Sequence, residues 1–210
     1  MLFHDRKDAG LRLSEKLKSY KKNKDTIVLG IPRGGIVVAY EIAKELHLPL
    51  GVIITKKMGA PYNPELAIGA VDEEGNAFIN EDVCKDLGVS KEYLNQEKEK
   101  EQKKAKLTIK KFCKNKKLLS LKNKTAILVD DGLATGASMM AAIHSAKKKQ
   151  AKKIIVAVPV GALESVEKIS HEADEVVCLE APSYFGAVST FYTFFNQTTD
   201  EEVVELLHSL

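Results

Sequence analysis

Along the first fifty residues the apolar positions change rhythm twice. Between residues 8 and 22, Leu13, Leu17 and Tyr20 recur at helical spacing with lysines between them, which predicts an amphipathic surface helix. Residues 26–31, TIVLGI, form an unbroken β-rich run, residues 36–46 return to a helical pattern, and Pro32, Arg33, Gly34 and Gly35 stand between the two. That is strand, glycine loop, helix. Further apolar runs at 51–55 (GVIIT), 125–129 (TAILV), 154–160 (IIVAVPV) and 174–179 (DEVVCL) predict four more strands, with helices over 137–149 and 162–170. Strands that are apolar at nearly every position and alternate with helices predict an α/β three-layer sandwich. Its mostly parallel central sheet must be covered on both faces.

Two regions depart from the alternation. Residues 67–79 read as a strand pair around the turn from Asp72 to Asn76, and residues 91–124 are lysine-rich. The second region reads as a charged helix and an exposed linker. Its lysines are mixed with glutamates over 97–101, which favours a solvated helix face over a nucleic-acid patch. From Pro182 onward the chain concentrates aromatics: Tyr184, Phe185, Phe191, Tyr192, Phe194 and Phe195.

Composition narrows the class. A chain of 210 residues with 44% hydrophobic content fits one domain with a real core. Thirty-two Lys+Arg against 29 Asp+Glu leave a formal net charge of +3, too weak to argue for nucleic acid. Cys84, Cys113 and Cys178 are odd in number and far apart, so neither a disulfide framework nor a zinc site is expected. The amino terminus carries charges where a secretory signal needs an apolar core, and no apolar run approaches the roughly 20 residues that span a bilayer. The expectation is a cytoplasmic protein with no membrane partner.

The chemistry concentrates in residues 126–139, AILVDDGLATGASM. In a parallel α/β sheet ligands collect at the carboxyl ends of the strands, so Asp130 and Asp131 stand at the binding edge. The loop from Leu133 to Ser138 can turn several backbone N–H groups toward one point near a helix amino terminus, with Thr135 and Ser138 adding hydroxyls. Such a cup holds a phosphate monoester. Beside it, two carboxylates suit vicinal hydroxyls and, through water, a divalent metal, so the ligand has the shape of a sugar phosphate. The spacing does not match a P-loop or a dinucleotide fingerprint.

Residues 127–138, an apolar strand, two acids, then Ala-Thr-Gly and a closing hydroxyl residue, resemble the phosphoribosyl-pyrophosphate (PRPP) loop of type I phosphoribosyltransferases. The resemblance extends to a less characterised branch of that family through FHDRKDAG (3–10), IPRGG (31–35), KKMGAPYNPELAIGAV (56–71) and FGAVSTFY (185–192). It implies a mostly parallel sheet with helices on both faces and a small hood. It also implies transfer of the phosphoribosyl group from PRPP to a nitrogenous acceptor, a nucleobase by expectation, with release of diphosphate. A homodimer is compatible with it. In domain terms the expectation is one unit over 1–210, with a mobile loop and lysine-rich insertion over 72–124 and a hood contribution from 182–210.

Carried residue by residue, the resemblance places the 5′-phosphate in the cup of Ala134, Thr135, Gly136, Ala137 and Ser138. Asp130 and Asp131 would lie beside the ribose hydroxyls and a magnesium ion held by the diphosphate, touching the metal through water if at all. Arg33, Gly34 and Gly35 resemble the diphosphate loop, where the family has a non-proline cis peptide, and Lys57, with Lys56 beside it, occupies the place of a basic residue against the diphosphate. Charge placement carries such a reaction, so no nucleophilic Ser, Cys or His is required, and His4, His47, His144 and His171 are expected to be surface or packing residues. Glu65 either matches a family position or is a structural acid for Arg6 or Arg33, and receives no chemistry. Near Phe112 a basic residue is expected where Cys113 stands, with Lys110 or Lys111 as substitutes. Phe185 is the candidate for stacking on an acceptor ring, the other aromatics being assigned to packing. A second reading makes the chain a PRPP-binding regulator that acts through a nucleic-acid or protein partner; the presence of Arg33, Gly34 and Lys57 favours the enzyme.

Overall fold

The protein is described from a computed structural model covering residues 2–114 and 118–210, with Glu65 described by its backbone alone. The two roles considered for the Glu65 side chain therefore lie outside the described residues. The first helix, α1 (Arg6–Lys16), starts earlier than the apolar spacing predicts because the Asp5 carboxylate accepts from the N–H groups of Lys7 and Asp8. It also stops earlier, and a single 3₁₀ turn, Lys18–Tyr20, completes the predicted segment.

Five strands form the central sheet: β1 (Thr26–Gly30), β2 (Leu50–Val52), β6 (Thr125–Val129), β7 (Lys153–Val160) and β8 (Glu175–Glu180). Their order is β2-β1-β6-β7-β8, and every neighbouring pair is parallel. Side chains alternate between faces along a strand, and the core divides accordingly. Ile27, Leu29, Leu128 and Val156 face one way, toward Met139 and Ile143 of α5 (Ala137–Lys148) and Ile169 of α6 (Leu163–Ser170). Val28, Ile127, Val129 and Ile155 face the other, toward Leu13 and Leu17 and toward Val38, Ile42 and Leu46 of α2 (Gly34–Leu46). This is the predicted three-layer α/β sandwich.

Residues 50–80 build more than a strand pair. The predicted strand at 51–55 ends at Val52, and the chain leaves the central sheet to begin β3 (Thr55–Ala60), which pairs antiparallel with β4 (Asn63–Asp72) and through it with β5 (Ala77–Ile79). β3 escapes sequence reading because KKMGA offers neither alternation nor β-branched residues. After α3 (Glu81–Asp86), the lysine-rich segment forms a 23-residue helix, α4 (Lys91–Cys113). One face is solvated, but Glu97 and Glu101, expected on it, are buried and pair with Lys100 and Lys104, whose long side chains reach solvent for both. Ala105 and Phe112 are also buried and pack with Val52, Ile54 and, from α7 (Asp200–His208), Val203 and Leu207.

The turn at 72–76 is tied down. Asp72 is fully buried, and its carboxylate accepts from the N–H of Glu74 (3.0 Å) and Asn76 (2.9 Å), from Asn76 Nδ2 (3.0 Å) and from Ser145 Oγ of α5 (2.7 Å). Lys149 Nζ adds an ion pair to Glu73 at 2.5 Å. The small antiparallel sheet is thereby fastened to the helix that opens at the candidate phosphate cup. An Asp72→Ala protein strands several donors at once and is expected to lose about 2–4 kcal/mol of stability, against about 1 kcal/mol for Ser145→Ala. Urea titration of both measures the difference, and a loss below that of Ser145→Ala would remove Asp72 from this role.

Candidate active site

β1 and β6 are neighbours in register, with Gly30 opposite Val129, so the chain leaves both strands at the same sheet edge. The first exit carries Pro32, Arg33, Gly34 and Gly35, and the peptide joining Pro32 to Arg33 is cis. The second carries Asp130 and Asp131. The two loops touch: a Cβ at Gly34 would stand 1.9 Å from Asp131 Oδ2, and one at Gly35 2.7 Å from the carbonyl oxygen of Val129. Only glycine fits at either place.

Asp131 is held from the chain's two ends. Arg6 Nε donates to Asp131 Oδ2 at 2.7 Å, with the two side chains 11% and 17% exposed. The same guanidinium donates from Nη1 to the carbonyl of Asn196 (2.7 Å) and lies 3.8 Å over the Phe195 ring. Tyr192 donates its hydroxyl to the Asp131 carbonyl at 2.6 Å, and burial raises the pKa of that phenol. Asp130 accepts the Asp131 N–H at 2.8 Å. Asp130 is half-buried, and desolvation followed by the charge of Asp131 raises its pKa well above the ordinary carboxylate value.

Beyond the acids, Gly132 lets Val188 approach where a Cβ would meet it at 2.4 Å. Leu133 is fixed on both sides, its N–H on Val160 O (2.9 Å) and its carbonyl under the N–H of Ala162 (2.8 Å). Ser165 Oγ of α6 donates to the Ala134 carbonyl at 2.6 Å. Gly136 then takes a left-handed conformation (φ 74°) and caps α5, whose opening N–H groups at Ala137, Ser138 and Met139 lack carbonyls of the same helix. Such a helix start, with exposed Thr135 and Ser138 beside it, is an anion cup.

The lysines of β3 separate, as alternation requires. Lys57 lines a cavity of about 210 Å³ together with Thr135, Gly136, Ala137, Ser138 and Lys168. Lys56 instead lines one of about 480 Å³ with Pro32, Arg33, Lys111 and Asp200. The structure thus brings Lys56 to Arg33 and sets Lys57 beside the cup. Lys111, a substitute considered for the missing basic residue after Phe112, reaches the same cavity as Arg33. Phe185 is half-buried, with its ring stacked on Phe191 (centroids 5.4 Å apart), in a cluster with Phe3, Val160 and Tyr192. One face of that ring is already covered. Of the histidines, His144 stacks on Phe78 at 4.0 Å.

Sequence reasoning named Lys56 beside Lys57, and missed Arg6, Tyr192, Ser165 and Asp200 as members of this region. Arg6 and Tyr192 sit inside segments that carry the resemblance. Ser165 and Asp200 bear no local signal, since their partners are far along the chain. Because native Asp130 holds its proton more readily than the unfolded chain does, its contribution is most favourable at acid pH and is lost as pH rises from about 4 through the raised folded value. Asp130→Asn should therefore raise Tm at pH 8 by a few degrees, about 2–4 °C per kcal/mol in a chain of this size, with the gain shrinking toward pH 4. Thermal melts of both proteins across that range measure it, and a pH-independent difference would contradict it.

Residues 3–193 match the phosphoribosyl transferase domain family. Two Mycobacterium tuberculosis proteins, from strains H37Rv and CDC 1551, are 40% identical over 206 residues, which is 98% of this chain and 46% of each relative. Both are provisionally named phosphoribosyl transferases, and the chain spans about half their length. The crystal structure of TT1426 from Thermus thermophilus is 38% identical, with a TM-score of 0.89 over 99% of this chain and 98% of that one. A family match over most of the chain stands with a fold shared end to end with a 38%-identical relative: the chain belongs to the phosphoribosyl transferase domain family.

Proposed function

We propose that the protein transfers the phosphoribosyl group of PRPP to a nitrogen of a small acceptor, a nucleobase by preference, and releases diphosphate. The observation that carries this reading is the contact between the glycine loop and the twin acids, Gly34 against Asp131 Oδ2, with the α5 cup five residues further along the same loop. One ligand with a phosphate at one end, hydroxyls in its middle and a diphosphate at the other matches those three features in order.

In this reading Ala134, Thr135, Gly136, Ala137 and Ser138 bind the 5′-phosphate, with Lys57 on the same cavity wall. Asp130 and Asp131 accept hydrogen bonds from the ribose hydroxyls and face the positive charge that develops at the anomeric carbon. Arg33 and the backbone of Gly34 and Gly35 receive the departing diphosphate, with Lys56 in the same cavity. An acceptor ring stacked on Phe185 would use the face that Phe191 leaves open. The nucleophile is the acceptor's own nitrogen, so no covalent enzyme intermediate is needed.

Magnesium fits this arrangement as a companion of the substrate. The described residues contain no group of three or more His, Cys, Asp or Glu placed to hold a metal, so diphosphate oxygens would supply most ligands and Asp130 and Asp131 would contribute through water. When bound it would neutralise leaving-group charge. Asp130, whose carboxyl is disfavoured as an anion, is the residue that a nearby cation would help most.

Calorimetric titration with PRPP, with and without magnesium, followed by diphosphate-release assays over a set of nucleobases, tests the reading. Arg33→Ala should lower kcat/KM by about 10²–10³-fold, as removal of one charge-stabilising group does elsewhere, while Thr135→Val should raise the KM for PRPP. Unchanged turnover in Arg33→Ala would overturn the diphosphate assignment. PRPP binding with no diphosphate release for any acceptor would favour the regulator.

A further inference from the structure

The cavity beside the glycine loop contains an anion of the protein's own. Asp200, at the start of α7, places Oδ2 2.6 Å from Lys111 Nζ and Oδ1 3.8 Å from Arg33 Nη1. Lys56 lines the same cavity, with Pro32, Leu107, Thr108 and Phe112 as its other walls. Three cations thus surround one carboxylate. Both of its ion-pair partners are accessible: Arg33 is 47% and Lys111 55% exposed, so neither cation is locked in place by burial.

The carboxylate itself is well fixed. Thr199 caps α7 by accepting the Glu202 N–H at 3.1 Å, and Val203 and Leu207 are buried against α4 and β2. At the far end of α7 the His208 ring lies 3.1 Å from the carbonyl of Phe112, the residue that follows Lys111. Both ends of α7 are therefore tied to neighbouring residues near the end of α4. Lys111 above all holds the Asp200 carboxyl below the usual carboxylate range, with Arg33 and Lys56 adding to the effect.

We propose that Asp200 is a built-in stand-in for the diphosphate: an internal anion that occupies Lys111 and Arg33 beside the glycine loop and yields them to the incoming polyanion. This inference rests on the proposed diphosphate site at Arg33 and extends it to Lys111 and Asp200. Binding is an exchange of partners, so the Asp200 contacts subtract from ligand affinity. The consequence is selectivity for multiply charged leaving groups, since a single negative charge replaces Asp200 at no gain and a diphosphate replaces it with surplus.

The test is calorimetric titration of the full chain with inorganic diphosphate and, separately, ribose 5-phosphate, both in magnesium buffer. Asp200→Asn should bind diphosphate about two- to fivefold more tightly, the scale of an exposed ion pair, and leave ribose 5-phosphate affinity unchanged. Glu201→Gln, which removes a neighbouring exposed charge that acts on Lys111 through space without an ion-pair contact, should tighten diphosphate binding by clearly less than Asp200→Asn and leave ribose 5-phosphate unchanged. Lys111→Met should weaken diphosphate binding, and in that background Asp200→Asn should gain less than it does alone. Unchanged or weaker diphosphate binding by Asp200→Asn overturns the inference, as does equal tightening of both ligands. Failure of the unsubstituted protein to bind diphosphate sinks the site at Arg33 along with it; binding that ignores Asp200 sinks this inference alone.

Discussion

The arrangement of the candidate site depends on one steric constraint, the contact of two loops across the gap between adjacent strands. Parallel neighbours lie about 4.8 Å apart, and β1 and β6 run in register to the point where both chains leave the sheet. Side chains at that height would collide, and at Gly34 the collision would be with Asp131 itself. Glycine lets backbone meet carboxylate directly. Gly35 likewise seats against the Val129 carbonyl and the Asp130 backbone, so main chain sets the approach of the two loops, which is the kind of preorganisation that a charge-separating reaction rewards.

The same acids draw the two ends of the chain together. Phe3 bridges in parallel to Tyr192, Thr193 and Phe194 hydrogen-bond back to residues 3 and 4, and Arg6 and Tyr192 converge on Asp131. The aromatic segment after Pro182 therefore does more than pack, because it supplies Tyr192 and the ring beneath Arg6. With Arg6 compensating Asp131, the cost of two adjacent carboxylates falls on Asp130, which among the described residues has no ion-pair partner. Stability given up at one residue is a familiar mark of a functional position.

What the sequence made legible was local or periodic. Five strands, α2, α5 and α6, and the sandwich they form follow from apolar runs interrupted by glycine loops, and the PRPP-type loop is contiguous in residues 127–138. Gly34 and Gly35 could be read as positions of close approach, though not what approaches them. The rest depends on distance in space. Asp131 finds Arg6 across 125 residues of chain, Lys111 finds Asp200 across 89, and no spacing rule encodes such pairs. β3 was hidden by its composition. The separate destinations of Lys56 and Lys57 follow from strand alternation alone, and would have been legible had that strand been recognised.

The two ends of the site differ in how readily their charges change partners. At the acid end, Arg6 and Asp131 are mostly buried, and removing one partner of a buried pair is strongly destabilising, so this pair must stay intact as a ligand enters. Hydroxyls can meet that condition, because they bond the remaining lone pairs of the carboxylates without displacing the guanidinium. At the basic end, Arg33 and Lys111 are about half exposed, and exposed pairs exchange at little cost. A neutral, directional ligand group thus suits the rigid end and a charged one the exchangeable end. A pentose whose hydroxyls face Asp130 and Asp131 while its diphosphate takes over Arg33 satisfies both conditions, whereas the reverse orientation would set an anion against two carboxylates.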